Sequence, residues 1–187
     1  MKKPRYRTLA ALLNHRLGRA EDEDAIQLMR KLRRVRTRRL LEKPELEAIC
    51  RWKSARAIRL IRSNTEATIR RTTREAFATR SEQKRLELLV SLDGVSIPMA
   101  SAILTLVWPE RYGVIDIRVW QVLYALKSVS TKPNGVGFHF KNWYKMLCIL
   151  RYHARRLDCS VRDVERTLFR YHPNLQTGLL YKKKKKK

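Results

Sequence analysis

The sequence predicts an all-α fold, and three observations lead to that prediction. Apolar residues recur every three or four positions along most of the 187 residues, which is the spacing of the buried face of a helix. Residues that commonly begin helices stand before these periodic segments. Only 113–115, Gly-Val-Ile, has a brief extended pattern, and no repeat of fixed period is present. With 44% hydrophobic residues, a chain of this length can bury a core without disulfides or metals.

The helices of the first half are predicted from their first turns. The first of them has the four acidic residues 21–24 in its first turn, where they complement the positive end of the helix dipole. Pro44 suits the first position of a second helix. Segment 63–66, Ser-Asn-Thr-Glu, has a capping-box pattern that opens a helix through residue 78. Ser81 is predicted to cap the next helix, which ends at a turn over 93–96.

The second half contains four further predicted helices, at about 98–108, 117–126, 141–157 and 161–172. Asp116 is a candidate cap for the second of them. Ser160 with Asp163 makes another capping-box pattern before the last. Trp120 and Trp143 lie on apolar stripes and are assigned first to the core. A Pro- and Gly-containing segment at 133–137 is predicted to be a loop.

The positive charge is unevenly distributed. The chain has a formal net charge of +26. Residues 1–80 hold 23 basic and 9 acidic side chains, 81–127 hold 5 of each, and 128–187 hold 15 and 3. We therefore expect a basic N-terminal arm over 1–20, one helical domain, of one body or two lobes, over 21–174, and a flexible lysine-rich tail over 175–187. Because basic surfaces release counterions from polyanions, nucleic acid is the expected partner; a basic face that serves solubility is the alternative.

Several classes of protein are disfavoured. The longest mostly apolar stretch, 97–108, is 12 residues, too short to cross a bilayer. The basic start lacks a long apolar run, so a signal peptide is not expected. Three cysteines and four histidines lack metal-ligand spacing. We expect an intracellular protein with no cofactor, no metal, no membrane contact and no obligate protein partner.

Residues 86–108 carry the most specific pattern. An apolar helix end meets Gly-Val-Ser at 94–96, and a second helix with small residues follows. Backbone N–H groups at such a turn, together with the positive end of the second helix, can bind one phosphate. The predicted phosphate contacts are Gly94, Val95, Ser96 and Met99. An ordinary helical hairpin with a capping glycine is the alternative, and the charge of the chain favours phosphate binding.

This region also resembles a known family. Segment 92–100, Leu-Asp-Gly-Val-Ser-Ile-Pro-Met-Ala, followed by 114–119, Val-Ile-Asp-Ile-Arg-Val, is similar to the helix-hairpin-helix DNA glycosylase superfamily of endonuclease III and the 8-oxoguanine glycosylases. The resemblance is strong over 88–120 and weaker over 46–172. It implies a helix-hairpin-helix glycosylase-like helical fold and damaged double-stranded DNA as the partner.

The resemblance assigns roles to single positions and also shows departures. The family's catalytic aspartate falls at Asp116, 22 positions after Gly94. Ser96 stands where the family has a second hairpin glycine. Pro98 occupies the place of the Schiff-base lysine of bifunctional members, so β-lyase chemistry through that position is not expected. Arg118 stands where endonuclease III often has histidine, and the chain lacks the four cysteines of the iron–sulfur branch.

Asp116 has a physical rationale as the catalytic group. Cleavage of a glycosidic bond passes through a cationic, oxocarbenium-like sugar, and a carboxylate near C1′ can stabilise that cation and help activate water. Helix capping is the alternative role, and one carboxylate can do both. A flipped base also needs stacking and polar groups. The candidates for base or DNA contact are Trp52, Lys53, Arg56, Tyr112, Arg118 and His139. For Trp52, a half-buried helix position is an equally good interpretation.

Three functions remain open on the sequence alone. The first is a monofunctional DNA glycosylase for base excision repair, a hydrolase without Schiff-base lyase activity, with Asp116 as its catalytic residue. The second is a non-catalytic helix-hairpin-helix DNA-binding protein, which the changes at Ser96 and Pro98 favour. The third is a basic RNA-associated structural protein, which rests on charge alone.

Overall fold

The structure is a computed structural model that describes residues 1–178 and residue 180. The α-helices of the described residues are α1 (Leu9–Arg16), α2 (Glu23–Lys31), α3 (Arg33–Arg38), α4 (Lys43–Ser54), α5 (Ile58–Ser63), α6 (Glu66–Ala78), α7 (Glu82–Val90), α8 (Ile97–Val107), α9 (Ile117–Ala125), α10 (Phe140–Arg156) and α11 (Val161–Tyr171). Two 3₁₀ turns, Ala55–Ala57 and His172–Asn174, accompany them. The described residues form no strand, so the all-α prediction is confirmed.

Most predicted helix starts are confirmed by the hydrogen bonds of their caps. Ser81 Oγ accepts from the amide of Lys84 at 3.2 Å. Ser160 and Asp163 form the reciprocal capping box before α11. The box predicted at 63–66 is wrong, because Ser63 ends α5 and the hydroxyl of Thr65 accepts from the amide at 68 instead.

The core is organised around α8. Every residue of α8 from Met99 to Val107 is buried. Helices α2, α3, α4, α7 and α10 all contact it. Trp120 and Trp143 are both fully buried, which confirms their assignment to the core. An apolar helix covered on all sides is what a single central core requires.

The N-terminal segment 1–20 includes part of that core. Leu9, Leu12 and Leu13 of α1 are buried, and α1 contacts α11. The amide of Lys2 donates to the carbonyl of Leu175 at 2.8 Å, and the Leu175 side chain is fully buried. The basic segment 1–20 is therefore packed on the body of the protein. Of the predicted tail 175–187, residues 179 and 181–187 lie outside the described part of the chain.

Across the described residues, every helix is too short or too polar to cross a membrane.

Candidate active site and hairpin surface

The predicted glycine turn joins α7 to α8. Gly94 has a φ of 78°, in the left-handed region that favours glycine. A Cβ at this position would lie 2.9 Å from Leu60 Cβ and 3.0 Å from the Ile61 nitrogen. Both the conformation and the close approach of α5 therefore require a residue without a side chain. The hairpin predicted at this position is present.

Helix α5 holds the outer edge of the turn. Asn64 Oδ1 accepts from the amide of Asp93 at 2.9 Å, and Asn64 Nδ2 donates to the carbonyl of Asp93 at 3.0 Å. The Ser63 hydroxyl donates to the Asp93 carboxylate at 3.1 Å. Asn64 is itself buried. Because both main-chain groups of Asp93 are bonded to one buried side chain, the turn is fixed before any ligand binds.

The hairpin amides differ in their availability. The amide of Val95 donates to the carbonyl of Leu92 at 3.0 Å, and the Val95 side chain is in the core. This corrects the prediction of Val95 as a phosphate donor, because its N–H is already bonded. Among the described residues, the amides of Gly94 and Ser96 have no recorded acceptor, and Ser96 does not cap α8 with its side chain. The Met99 side chain is buried, so Met99 could contact a phosphate only through its backbone amide, which lies in the first turn of α8.

Asp116 is held at the start of α9. Its Oδ1 accepts from the amide of Val119 at 2.9 Å, so the predicted cap is confirmed. The preceding amide, of Ile115, donates to Ser101 Oγ at 3.0 Å. The Ser101 hydroxyl in turn donates to the carbonyl of Pro98 at 2.8 Å. One side chain of α8 therefore fixes the position of Asp116 relative to the first turn of the hairpin's second helix.

Segment 113–116 passes between α10 and α11 and packs closely against both helices. A Cβ on Gly113 would lie 2.8 Å from Glu165 Cβ and 2.8 Å from Leu150 Cδ1. The side chain of Ile115 is fully buried. Glycine at 113 thus allows the chain to approach α11 closely, and Asp116 emerges beside the face of that helix.

A cleft of about 340 Å³ opens at Asp116. Its walls come from α4, segment 113–116, α9, α11 and the residue before α2. The lining residues are Asp22, Trp52, Lys53, Val114, Asp116, Arg118, Arg162, Glu165, Arg166 and Phe169. Four of the side chains predicted from sequence, Trp52, Lys53, Asp116 and Arg118, therefore meet in one place, although four helices separate α4 from α9 along the chain.

Lys53 and Asp116 form an ion pair inside this cleft. Lys53 Nζ lies 3.6 Å from Asp116 Oδ2, and the side chains are 18% and 17% exposed. Asp116 thus uses one oxygen to cap α9 and directs the other towards an amine from α4. Such a carboxylate is both oriented and largely shielded from solvent, two conditions that strengthen its electrostatic effect on a bound group.

Buried charges of α11 form the floor of the cleft. Glu165 is 1% exposed and is bonded to Arg162, whose Nε also donates to Glu21 Oε2 at 2.8 Å. Burial raises the pKa of Glu165 and the nearby Asp116 carboxylate raises it further, whereas Arg162 opposes both. Burial alone would lower the pKa of Arg162, but the carboxylates of Glu165 and Glu21 raise it. The floor consists of charges that compensate one another within the protein.

Two aromatic rings line the cleft, each with a guanidinium over it. The Arg162 guanidinium lies 5.6 Å from the Trp52 ring centroid, and the Arg118 guanidinium lies 4.8 Å from the Phe169 ring centroid. Trp52 is half-buried, as the more conservative interpretation of its sequence context predicted. Both distances are within the range of cation–π attraction. The rings of Trp52 and Phe169 thus provide flat apolar surface in the cleft that contains Asp116.

Other predicted site residues are not part of the cleft. Tyr112 is 1% exposed, and its hydroxyl donates to Glu82 Oε2 at 3.0 Å. Its prediction as a base contact is corrected: it is a core residue. His139 is exposed at the start of α10 and does not line the cleft. Arg56 is exposed in the 3₁₀ turn between the cleft and the hairpin.

The sequence reasoning missed the contribution of α11 to the site. Arg162, Glu165, Arg166 and Phe169 recur at three- and four-residue intervals, so they share one helix face. The sequence shows this spacing as a stripe of charged residues. Glu21, which accepts a hydrogen bond from Arg162, lies 141 residues away and could not be identified by spacing.

The described residues contain no group of His, Cys, Asp and Glu side chains suited to hold a metal ion. Comparison with protein-family models, with curated proteins and with solved structures gives no match to this chain.

Proposed function

We propose that the protein is a DNA glycosylase that releases a damaged base by hydrolysis. The observation that carries the proposal is the carboxylate of Asp116, fixed by the Val119 amide and directed into a cleft of base-accommodating size. Residue-level resemblance to the helix-hairpin-helix glycosylases supports the same assignment.

The geometry of Asp116 suits the chemistry of base release. As the glycosidic bond breaks, positive charge develops at C1′ and the ring oxygen, and a shielded carboxylate stabilises it. The capping bond leaves Oδ2 directed towards the cleft. Hydrolysis then requires a water at C1′, and the same carboxylate can accept its proton. One residue accounts for both demands.

The hairpin supplies a binding surface that is linked to the cleft. The chain runs from Lys53 in the cleft through Arg56 to Leu60, which packs against Gly94. Arg56 and Arg59 are exposed along this segment. Basic side chains beside free turn amides suit a phosphate backbone, which positions DNA without selecting its sequence.

The cleft suits an extruded base. An enzyme that acts at C1′ within a duplex must rotate the nucleotide out of the stack, and the base then needs a pocket with flat apolar surface and polar groups. Trp52 and Phe169 offer rings, and Arg118 offers donors.

A non-catalytic DNA-binding protein is the second candidate. The Lys53–Asp116 ion pair favours it, because an ammonium at 3.6 Å partly neutralises the carboxylate that would stabilise the sugar cation. This candidate predicts salt-dependent duplex binding and no released base.

A panel of duplexes tests the proposal. Duplexes that carry one oxidised, deaminated or alkylated base are incubated with the full chain, and alkali then cleaves any abasic site. Cleavage at one class of lesion supports the proposal. Binding without cleavage on every duplex supports the non-catalytic protein, and stronger competition by structured RNA than by an abasic duplex supports an RNA-associated role.

A further inference from the structure

Lys53 is the one primary amine among the described residues that line the cleft. The other cations there are Arg118, Arg162 and Arg166. A guanidinium stays protonated and cannot condense with an aldehyde, whereas a lysine amine forms imines with carbonyl compounds. The cleft therefore holds one side chain capable of covalent chemistry with an aldehyde sugar, and it comes from α4 rather than from the hairpin.

The surroundings of Lys53 suit such chemistry. Its side chain is 18% exposed and its Nζ lies 3.6 Å from Asp116 Oδ2. A carboxylate at that distance can take a proton from the ammonium as the amine attacks, and can return it later. Pro98, at the hairpin position where the resemblance places a reactive lysine, has no amine and is the second residue of α8. Amine chemistry at this site must therefore come from outside the hairpin.

We infer that Lys53 is the nucleophile of an abasic-site lyase activity in the same cleft. This inference rests on the proposed function, because its substrate is the abasic sugar that base release leaves. In its open form that sugar carries an aldehyde at C1′. The ligand class is thus a 2-deoxyribose aldehyde within a DNA strand.

The reaction balances without an added oxidant or reductant. The ammonium of Lys53 gives a proton to Asp116, and the free amine adds to C1′ to form a carbinolamine. Asp116 returns the proton to the hydroxyl, which leaves as water and yields an iminium. The carboxylate of Asp116, ionised again, takes a proton from C2′. The C2′–H electrons form a C2′–C3′ double bond, the C3′–O bond breaks, and the phosphate departs with the downstream strand. Water hydrolyses the iminium and restores the amine.

Borohydride trapping on a preformed abasic duplex tests the inference. The full-length protein is compared with Lys53→Arg, which keeps the positive charge beside Asp116, and with Lys145→Arg, a matched change at an exposed lysine of α10. We expect Lys53→Arg to lower the rate of adduct formation and strand cleavage by about 10²-fold, because a positioned nucleophile is lost. Lys145→Arg should match the wild type, and peptide mapping should place the adduct on Lys53.

Trapping at the wild-type rate by Lys53→Arg overturns the inference, as does an adduct that maps to the terminal amine or to Lys182–Lys187. Thermal unfolding of each variant identifies loss of the fold, and Lys53→Gln provides a second substitution at the same position. Because the abasic duplex needs no base release, lyase activity and base release can fail separately. A chain that removes bases but traps nothing refutes only the role of Lys53.

Discussion

Replacement of Gly94 by alanine tests whether the hairpin geometry serves both stability and DNA binding. Alanine at a φ of 78° costs about 1–2 kcal/mol. Its Cβ would also lie 2.9 Å from Leu60 Cβ and 3.0 Å from the Ile61 nitrogen, so α5 must move, and such overpacking adds about 1–3 kcal/mol. We expect a total loss of about 3 kcal/mol, equivalent to a fall in Tm of roughly 9 °C for a chain of this size.

A matched glycine separates the two contributions. Gly137 has a φ of 65°, but a Cβ there would meet only Lys132 Nζ, at 3.5 Å. Gly137→Ala should therefore lose only about 1–2 kcal/mol, the cost of the backbone conformation. Thermal unfolding of both variants and of the wild type measures the difference.

The same pair of variants tests the proposed phosphate contact. If α5 and the turn separate, the amides of Gly94 and Ser96 lose their alignment, and duplex affinity should fall about tenfold, the equivalent of one bond to a charged group. Gly137→Ala should bind DNA as the wild type does. Equal unfolding temperatures for the two variants would refute the packing argument. Unchanged duplex affinity of folded Gly94→Ala would refute the role of the turn in binding.

Three further predictions concern charge. Asp116→Asn keeps an acceptor for the helix cap and should retain nearly full stability, whereas Asp116→Ala should lose about 1 kcal/mol in chemical denaturation; equal stability of the two would contradict the capping role. Glu82→Gln should lose about 3 kcal/mol at neutral pH, because the buried guanidinium of Arg85 loses its charged partner. Burial raises the pKa of Glu82, but Arg151 and Arg85 more than offset this and hold it below its usual value. Its stabilising effect is therefore present above the ordinary glutamate pKa and is lost as the pH falls through the folded-state value; a difference between wild type and Glu82→Gln that grew in acid would contradict this. Arg59→Gln should make the slope of log affinity against log salt shallower by about 0.9, while the same change at exposed Arg155 on α10 should leave it unaltered; identical slopes for the two would place the contact elsewhere.

Local features of the fold could be predicted from sequence because neighbours along the chain determine them. The caps at Ser81, Asp116 and Ser160 each accept from an amide three residues ahead. The turn at Gly94 likewise depends on the backbone conformation of one residue, a positive φ that glycine adopts readily. These features depend on residue type and short spacing, which a sequence displays directly.

Tertiary pairings could not be predicted in that way. The bond between Arg162 and Glu21 joins residues 141 positions apart. Lys53 was identified as a basic residue near an aromatic, but its distance from Asp116 depends on how α4 packs against α8. Tyr112 was predicted to contact a base, yet its hydroxyl donates to the partly buried carboxylate of Glu82. In each case the partner is distant along the chain, and residue type alone does not identify it.

The neutral and basic segments of the sequence occupy different parts of the folded chain. The neutral segment 81–127 contains the hairpin and Asp116, and it forms much of the core through α8 and α9. The basic segments before and after it supply Lys53 and the charged face of α11. The cleft therefore lies where the neutral segment meets the basic ones.

The central claim, that the carboxylate of Asp116 drives base release, is tested most directly by single-turnover kinetics. Excess protein is mixed with the duplex that the lesion panel identifies, and free base is quantified by mass spectrometry for the wild type and for Asp116→Asn. We predict one base released per duplex by the wild type, and a rate about 10²- to 10⁴-fold lower for Asp116→Asn at equal DNA affinity. Equal rates for the two proteins, or no free base from the wild type on any lesion, would contradict the claim.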